Sequence, residues 1–377
     1  MDFLFFLSLY LLAASLAGAS ANAVNYDSKF VLPFKAMDGE STAQVVSVDG
    51  GLDIPKFTPG VNDTKFDWWY FDVVSSTTIQ SLTIAFFNFG KTTLDLPDLG
   101  GALTVQVSGT YIDGTTFSAS MAATRNASVV ANDRGIASHW DGEGGDYSFS
   151  GSSLDASSTR YTVSGDDPDS GGYGTVTMTS VSPPRYPCNA NGPGVTEEIM
   201  PGVYWSNTVP DSDALVKLSI SGQTFNFEGY GYHDKKWGVK KLSESVGSWY
   251  WGHGRLGPYS IVWFDGVDKD GKEYFSSYIS MNGSAVLQSC QEKSVVVRPW
   301  SKDGTDPVYP PKPKDPAPDG YDISFDVGGG KTFAARFYTS TIQFSTDTYK
   351  RITGPLVGGL KGEEQFKGMA LGEQVQN

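Results

Sequence analysis

Short runs of alternating apolar and polar residues recur along the whole 377-residue chain. The clearest run is interpreted as one strand with Val216, Leu218, Ile220, Phe225 and Phe227 on one face. This period of two is typical of a β-strand with one buried side. The pattern therefore predicts strands rather than helices.

Two-residue turn signals connect many of these runs. Asp113-Gly114, Asp270-Gly271 and Asn282-Gly283 each separate two alternating segments, and such dipeptides favour the tight turns of antiparallel hairpins. The 44 Gly, 19 Tyr and 22 Phe suit the same architecture. We expect an all-β protein built as a sandwich or a barrel.

The length is sufficient for two domains. We expect their boundary between residues 201 and 213, before the strong alternation resumes. This predicts an N-terminal domain over residues 24–205 and a C-terminal domain over residues 206–377. The Gly-, Asp- and Ser-rich residues 141–174 are interpreted as loops between edge strands, and the proline-rich residues 301–320 as an extended surface segment.

The first 23 residues are typical of a secretory signal, with an apolar run followed by the small-residue site Ala21-Asn22-Ala23. A membrane anchor is the alternative, but the run is short and soon becomes polar. We therefore expect secretion or an endomembrane lumen, without stable membrane insertion after cleavage. Glycosylation triplets begin at Asn62, Asn126 and Asn282, and they agree with this route.

Cys188 and Cys290 are the two cysteines of the chain. In an oxidising compartment a single disulfide between them is the economical interpretation, and two buried free thiols are the alternative. The formal net charge is −14, and no basic cluster exceeds two residues. Nucleic acid and anionic membranes are therefore poor partners, and the oligomeric state is left open.

A dense aromatic strand, Phe66–Asp72, carries acids near both ends. Asp67 shares a face with Trp69, and Tyr70 belongs to the opposite face. Such an acid lies at a strand mouth or in a cavity with a hydrogen-bond partner, and Asn88 at the end of the next strand is a candidate partner. The alternative is that Asp67 caps a loop.

A second strand breaks at two glycines and then presents Tyr232, His233, Asp234 and Trp237 in quick succession. Glycines inside a strand mark a bulge or a close backbone approach, and bulges re-aim side chains next to sites. Two proton-transferring groups among aromatic side chains indicate a pocket. A buried His–Asp pair with packed aromatic rings would give the same pattern.

A third aromatic strand contributes Trp249, Trp251 and Arg255. It either lines the pocket or fills a barrel. The three histidines lack zinc-site spacing, and no nucleophile elbow or nucleotide-binding loop is present. We therefore predict no metal site and no cofactor.

The motifs at Asp67–Asp72 and Gly231–Gly238 resemble those of the carotenoid 1,2-hydratase (hydroxyneurosporene synthase) superfamily. Within it the chain is most similar to fungal decalin-forming Diels–Alderases and to hetero-Diels–Alderases of eupenifeldin-like tropolone–sesquiterpenoid pathways, partly through the stretch ending at Trp205. The resemblance implies two consecutive lipocalin-like domains, a β-sandwich followed by a β-barrel, with a cofactor-free ligand cavity between them. Lys236 stands where hydratase-like members keep an Asn, which argues against a straightforward hydratase.

The resemblance implies a pericyclase that binds a hydrophobic polyketide or terpenoid and catalyses a (hetero-)Diels–Alder cycloaddition. Asp67, His233 and Asp234 would be its acids and bases, including in water loss to an o-quinone methide. The predicted substrate-binding residues are Trp69, Tyr70, Asn88, Trp205, Tyr232, Trp237, Trp249, Trp251 and Arg255. A hydratase or isomerase acting on an isoprenoid alkene and a noncatalytic lipocalin-like carrier are the alternatives.

Overall fold

The computed structural model describes residues 28–90, 93, 101–154, 158–167, 172–305 and 307–377. The predicted signal segment, residues 1–23, lies outside the described residues. Within the described ranges, strands make up nearly all the regular structure, and the single helix is one turn long, α1 (Leu242–Ser245). The all-β prediction is confirmed. No helix in these ranges is long and apolar enough to cross a membrane.

The strands follow one another closely along the chain. In chain order they are β1 (Ser28–Leu32), β2 (Thr42–Ala43), β3 (Phe57–Thr58), β4 (Phe66–Ser75), β5 (Ser81–Phe89), β6 (Leu103–Thr110), β7 (Thr116–Ala122), β8 (Ala127–Asn132), β9 (Gly135–Asp141), β10 (Asp146–Ser152), β11 (Arg160–Asp167), β12 (Gly172–Ser180), β13 (Glu198–Met200), β14 (Val203–Ile220), β15 (Gln223–Gly238), β16 (Val246–Leu256), β17 (Tyr259–Asp268), β18 (Glu273–Met281), β19 (Ser284–Ser289), β20 (Val295–Trp300), β21 (Gly320–Asp326), β22 (Thr332–Tyr338), β23 (Thr341–Ser345), β24 (Tyr349–Leu360) and β25 (Phe366–Gln376).

Two large antiparallel sheets contain almost all of these strands. The first has the order β1-β8-β9-β10-β11-β12-β14-β15-β4-β5-β6-β7, with β13 paired to β14. The second has the order β19-β18-β17-β16-β25-β24-β22-β21-β20, with β23 paired to β24. β2 and β3 form a small separate ribbon. Hairpin connections dominate because the turn dipeptides fold each strand back onto its neighbour.

Each large sheet curls around its own apolar core. Trp69 and Phe71 belong to the core of the first sheet, and Trp263 and Phe337 to that of the second. A third apolar cluster, which includes Trp251, joins side chains of both sheets. The two sheets are thus two lipocalin-like domains, as predicted, and they pack against each other through this third cluster.

The chain passes from the first sheet to the second later than the sequence predicted. The expected boundary, residues 201–213, falls inside β14, which pairs with β15 in the first sheet. The change of sheet comes at α1, between β15 and β16. The boundary was expected before the strong alternation, but β14 begins upstream of that alternation, and its pattern is interrupted by a shift of register between Val209 and Ser212.

Residues 141–174 were predicted as loops between edge strands, and this was wrong. Three strands of the first sheet, β10, β11 and the start of β12, occupy much of this region. Their apolar positions still alternate, as Tyr147, Phe149, Tyr161 and Val163 are all buried. Small polar residues on the exposed face had obscured that alternation.

The predicted disulfide is confirmed, because Cys188 and Cys290 are bonded to each other. The Asn282-Gly283 hairpin is also confirmed: the two residues have φ values of 48° and 80°, as a two-residue turn of this kind requires. Asn282 and Asn126 are exposed and Asn62 is half-buried. Their glycosylation stays a prediction.

Candidate active site between the two domains

The two faces of β4 serve different parts of the molecule. Trp69 and Phe71 point into the core of the first sheet. Trp68 and Tyr70 point the other way, toward the second sheet. Strand alternation alone produces this division, and it decides which residues of the aromatic motif can meet a ligand between the domains.

A cavity lies between this second face and the second sheet, and we call it the inter-domain cavity. It contains about 890 Å³ of empty space, its open mouth included. Aromatic rings form much of its wall, among them Phe87 and Phe344 from opposite sheets. It can therefore hold a largely flat, apolar small molecule.

Strand register organises the wall that the first sheet provides. Lys236 of β15 pairs with Trp68 of β4, and Asp234 pairs with Tyr70. Directly paired residues project to the same face of a sheet, and all four line the cavity. One wall thus carries an acid and a base beside aromatic rings.

The second sheet builds the opposite wall in the same way. Trp251 of β16 pairs with Glu373 of β25, which pairs in turn with Arg351 of β24. Trp249 and Tyr349 belong to the next row, on either side of Val375. These residues also line the cavity, so each wall combines aromatic rings with charged groups.

Asp234 has the features of a proton donor. Its Oδ2 accepts hydrogen bonds from Trp205 Nε1 and from the Tyr232 hydroxyl, both at 2.8 Å, whereas its Oδ1 has no hydrogen-bond partner among the described residues. Burial raises the pKa of Asp234 to about 6, and the nearby Lys236 opposes that rise. A proton on this carboxyl is therefore carried by Oδ1, because Oδ2 is occupied by two donors.

Two local features of β15 and its neighbours fit this placement. A Cβ at Gly229 would lie 2.0 Å from the carbonyl oxygen of Val74, so only glycine allows the two strands to approach so closely. In β14 the register skips one residue, because Asn207 pairs with Asp234 and Val209 pairs with His233. This is a β-bulge beside the site, but it lies in β14 and not at the glycines of β15, of which Gly229 marks a close approach between strands.

Several hydrogen-bond donors of the cavity are unused. The Lys236 ammonium lies 4.6 Å from the ring centroid of Trp249 and 5.3 Å from that of Trp251, within the range of cation–π attraction. The indole N–H groups of these two tryptophans find no acceptor among the described residues. A bound oxygen atom that gains negative charge could accept from any of these donors.

Six of the predicted site residues belong to this cavity. Tyr70, Asp234, Trp249 and Trp251 line it. Trp205 and Tyr232 do not line it but donate hydrogen bonds to Asp234. The sequence predicted these residues from aromatic density next to acids. Both aromatic–acid motifs thus reach one cavity, each with only one face of its strand, and the roles of these residues stay predictions.

Asp67 and its predicted partners lie on the other face of the sheet, away from the cavity. Asp67 is 1% exposed, and it is bound by Lys235 Nζ at 2.5 Å and by the backbone N–H of Lys56 at 3.0 Å. It thus forms a closed buried ion pair rather than a free acid. The other three predicted binding residues on this face are Trp69, Asn88 and Trp237.

His233 and Arg255 also lie outside the cavity lining. His233 lies under the first sheet, 3.1 Å from Asp53 Oδ2 and stacked on Phe71 with ring centroids 3.9 Å apart. Arg255 binds the carboxylates of Asp211 and Asp213, each with contacts as short as 2.6 Å. The predicted His233–Asp234 pair is therefore split, because adjacent strand residues face opposite ways.

Sequence reasoning missed three charged residues of the cavity: Lys236, Arg351 and Glu373. Lys236 could have been found, because it shares a strand face with Asp234. Arg351 and Glu373 are 22 residues apart in sequence and meet through the register of β24 and β25. No short sequence motif predicts the contact between Arg351 and Glu373.

One surface group could hold a metal ion in principle. His139, Asp141 and Asp146 bring their ligand atoms within 4.8 Å of one another, but they belong to the exposed β9–β10 hairpin and do not line the inter-domain cavity. Arg125 already lies 3.3 Å from Asp141. Nothing connects this group to the candidate active site.

The fold and the cavity together define a class: an all-β protein of two lipocalin-like domains with a cavity between them. The comparisons with known proteins agree. A family model described as Diels-Alderase-like matches residues 32–299. The crystal structure of CghA has the same fold, with a TM-score of 0.77 and 19% identity over 93% of this chain and 98% of that one.

Two relatives are more similar in sequence. The quinolone epoxide rearrangement protein penF of Penicillium thymicola is 45% identical over 91% of this chain and 94% of the relative. The quinolone epoxide rearrangement protein asqO of Emericella nidulans is 41% identical over 100% of this chain and 99% of the relative. The chain belongs to the Diels-Alderase-like family, which confirms the resemblance inferred from its two motifs, and its relatives are enzymes.

Proposed function

We propose that the protein rearranges an epoxide carried by a quinolone-type small molecule, with Asp234 as the proton donor. The observation that carries this proposal is the Asp234 carboxyl, which lines an aromatic cavity with Oδ1 unpartnered among the described residues and a pKa raised to about 6 by burial. About a tenth of such groups carry a proton at pH 7. The names of the two relatives support the substrate class.

The reaction requires Asp234 to transfer one proton to the substrate and to recover one proton at the end. Asp234 Oδ1 gives its proton to the epoxide oxygen, and one C–O bond breaks with its electron pair going to that oxygen. The carbon left electron-deficient is then satisfied by migration of a neighbouring bond or by attack of a nucleophile within the substrate. The proton released in that step returns to Asp234, so the product is an isomer of the substrate.

The cavity walls favour this course in two ways. Indole and phenol faces stabilise positive charge developing on carbon, and Trp249 and Trp251 offer such faces. The same walls exclude water, which would otherwise open the epoxide to a diol. Lys236 keeps the pKa of Asp234 from rising further, so the acid stays matched to near-neutral pH.

The test is conversion of a synthetic quinolone with an epoxide-bearing side chain, followed by liquid chromatography and mass spectrometry. We expect an isomer of unchanged mass, and Asp234→Asn should lower the rate by about 10²- to 10⁴-fold. Asp166→Asn is the matched control, because Asp166 is an exposed carboxylate on β11. Wild-type protein that yields no isomer, or an Asp234→Asn variant with full activity, would refute the proposal.

A (hetero-)Diels–Alder cycloaddition is the second candidate. The family match favours it, and so does the cavity, since holding a diene against an alkene needs shape and one or two donors to a carbonyl. Lys236 and Arg351 would be those donors. Asp234→Asn should then retain most of the rate. A hydratase would add the mass of water, and a carrier would bind the molecule unchanged.

We also propose that the protein folds in the secretory pathway, as its N-terminal segment predicts. The disulfide supports this proposal, because such bonds persist in oxidising compartments. Asn282 at an exposed hairpin tip is the best-placed glycan acceptor. Protein from a fungal host should shift in mass on deglycosylation, and Asn282→Gln should remove part of that shift; no shift in the wild type would count against this route.

A further inference from the structure

A buried but incompletely satisfied ion pair lies in the wall opposite Asp234. Arg351 and Glu373 are paired across β24 and β25, and their side chains are only 5% and 7% exposed. One contact joins them, from Arg351 Nε to Glu373 Oε1 at 3.5 Å. Arginine and a buried carboxylate usually form two short parallel hydrogen bonds instead.

The other atoms of the pair divide into used and unused ones. Arg351 Nη1 donates to Ser108 Oγ across the domain interface at 3.0 Å, and the Tyr349 hydroxyl donates to Glu373 Oε1. The Tyr349 hydroxyl also lies close to the Arg351 guanidinium, whereas Arg351 Nη2 and Glu373 Oε2 are left out of the hydrogen bonds that the pair makes with Ser108, Tyr349 and each other. Because both residues line the inter-domain cavity, a bound molecule can reach these two atoms.

The unused atoms form a donor beside an acceptor. Their complement is a ligand edge with an acceptor beside a donor, which a secondary lactam presents as C=O next to N–H. A ketone, an ester or an N-substituted lactam lacks the donor. An ionised carboxylic acid lacks it too and would be repelled by Glu373.

We propose that Arg351 and Glu373 bind the unsubstituted lactam edge of the substrate, with Arg351 Nη2 donating to the lactam oxygen and the lactam N–H donating to Glu373 Oε2. This inference rests on the proposed function, because it takes the quinolone as the substrate. It adds that the free N–H is required for recognition and that the lactam lies against the second sheet.

The pairing of β16, β25 and β24 also determines the orientation of the bound substrate. Glu373 pairs with Trp251 on its other side, so a ring held at the ion pair lies beside the Trp251 indole. The charge of Glu373 also contributes to the raised pKa of Asp234, which shows that the two carboxyl groups are close enough to interact. A molecule held by its lactam at the second sheet can therefore direct its side chain to Asp234 on the first.

The test measures equilibrium binding, by quenching of tryptophan fluorescence, with two ligands that carry no epoxide. One is a 2-quinolone with a free N–H next to its carbonyl, and the other is the matching coumarin, in which a ring oxygen replaces N–H without added bulk. Wild-type protein should bind the quinolone at least about tenfold more tightly, because a hydrogen bond to a charged group is lost in the coumarin. Equal binding of the two ligands would overturn the inference.

Glu373→Gln is the informative variant. Its amide offers both an acceptor and a donor, so the preference for the quinolone should fall to about twofold or less through tighter coumarin binding. A merely structural role would instead weaken both ligands equally, and that result would also overturn the inference. Glu364→Gln, on the exposed turn between β24 and β25, is the matched control and should keep the wild-type preference.

These outcomes are separable from the proposed function, since neither ligand can rearrange. A protein that prefers the quinolone through Glu373 but converts no epoxide would retain this inference and reject the rearrangement. If the protein converts an epoxide substrate equally well when a ring oxygen replaces the N–H, the proposed rearrangement is retained and the lactam-binding inference is rejected.

Discussion

His233 and Asp234 are adjacent in the chain but lie on opposite faces of β15. His233 contacts Asp53 and Phe71 beneath the first sheet, and Asp234 lines the inter-domain cavity. The two groups therefore do not work on one substrate atom, and the hydrogen-bond partners of Asp234 are Trp205 and Tyr232 rather than His233.

The rate should fall as the pH rises through the pKa of Asp234. General acid catalysis needs the protonated carboxyl, and burial raises its pKa to about 6. We expect kcat/KM to be level below that pH and to fall about tenfold per pH unit above it. The residual activity of Asp234→Asn should not show this fall with rising pH. A wild-type profile that rises across the same interval would mean that a base, not this acid, limits the reaction.

Asp234→Asn should also make the folded protein more stable at alkaline pH. The pKa of Asp234 is raised from 3.8 to about 6 by burial, so the folded chain holds this proton more tightly than the unfolded chain. That stabilisation is present below a pH of about 4 and is lost as the pH rises through about 6. The carboxylate then costs about 2–3 kcal/mol, which Asn avoids.

Urea unfolding at two pH values measures this effect. The variant should exceed the wild type in free energy of unfolding at pH 8, and the difference should nearly vanish at pH 4, provided that both proteins remain folded there. A variant that is less stable than the wild type at pH 8 would show that the carboxylate is well satisfied and that its pKa is not raised.

Asp67→Asn should damage stability rather than catalysis. Asp67 neutralises the buried Lys235, and breaking a buried pair by removing one partner costs about 3–5 kcal/mol. Burial already lowers the pKa of Lys235 to about 8 against the pull of Asp67, so the variant can shed the lysine proton and limit the loss. Folded variant should keep kcat within about threefold, since Asp67 does not line the cavity.

The control for Asp67 is again Asp166→Asn, which should change neither quantity. A normal unfolding curve combined with a loss of activity would restore the catalytic role that the sequence suggested for Asp67.

The sequence predicted the fold well because its signals are local. Alternation and turn dipeptides such as Asn282-Gly283 act within a few residues, and they produce the same hairpins in the structure. Which face of β4 meets the second domain could not be predicted, because both Trp68 and Trp69 are apolar and both are buried. Asp67 was therefore chosen on the wrong face.

The residues of the second cavity wall could not be predicted from short sequence motifs, for a different reason. Arg351 and Glu373 come together only because β24 and β25 pair in one register, and they face the cavity only because that sheet packs on the first. Each residue alone looks like an ordinary polar position in a strand. Contacts of this kind are set by the packing of whole sheets, which a single sequence does not display.

Trp251→Phe should change what the enzyme makes, whereas Trp237→Phe should not. Trp251 lines the cavity and packs edge-on against Tyr70 and Tyr232, with ring centroids 5.5 and 5.1 Å apart. Losing half of its indole leaves space in which the substrate can adopt competing orientations, and small misplacements of the reacting atoms cost about 10- to 100-fold in rate. We expect lower kcat/KM and additional products by chromatography.

Trp237 is the matched control because it is equally buried but packs with Phe57 and Val61 away from the cavity. Its indole donates to the carbonyl of Gln44 at 2.8 Å, so Trp237→Phe should lower the free energy of unfolding by about 1–3 kcal/mol. The product pattern should stay that of the wild type. If Trp237→Phe scrambles the products and Trp251→Phe does not, the substrate binds under the first sheet and the inter-domain cavity is not the active site.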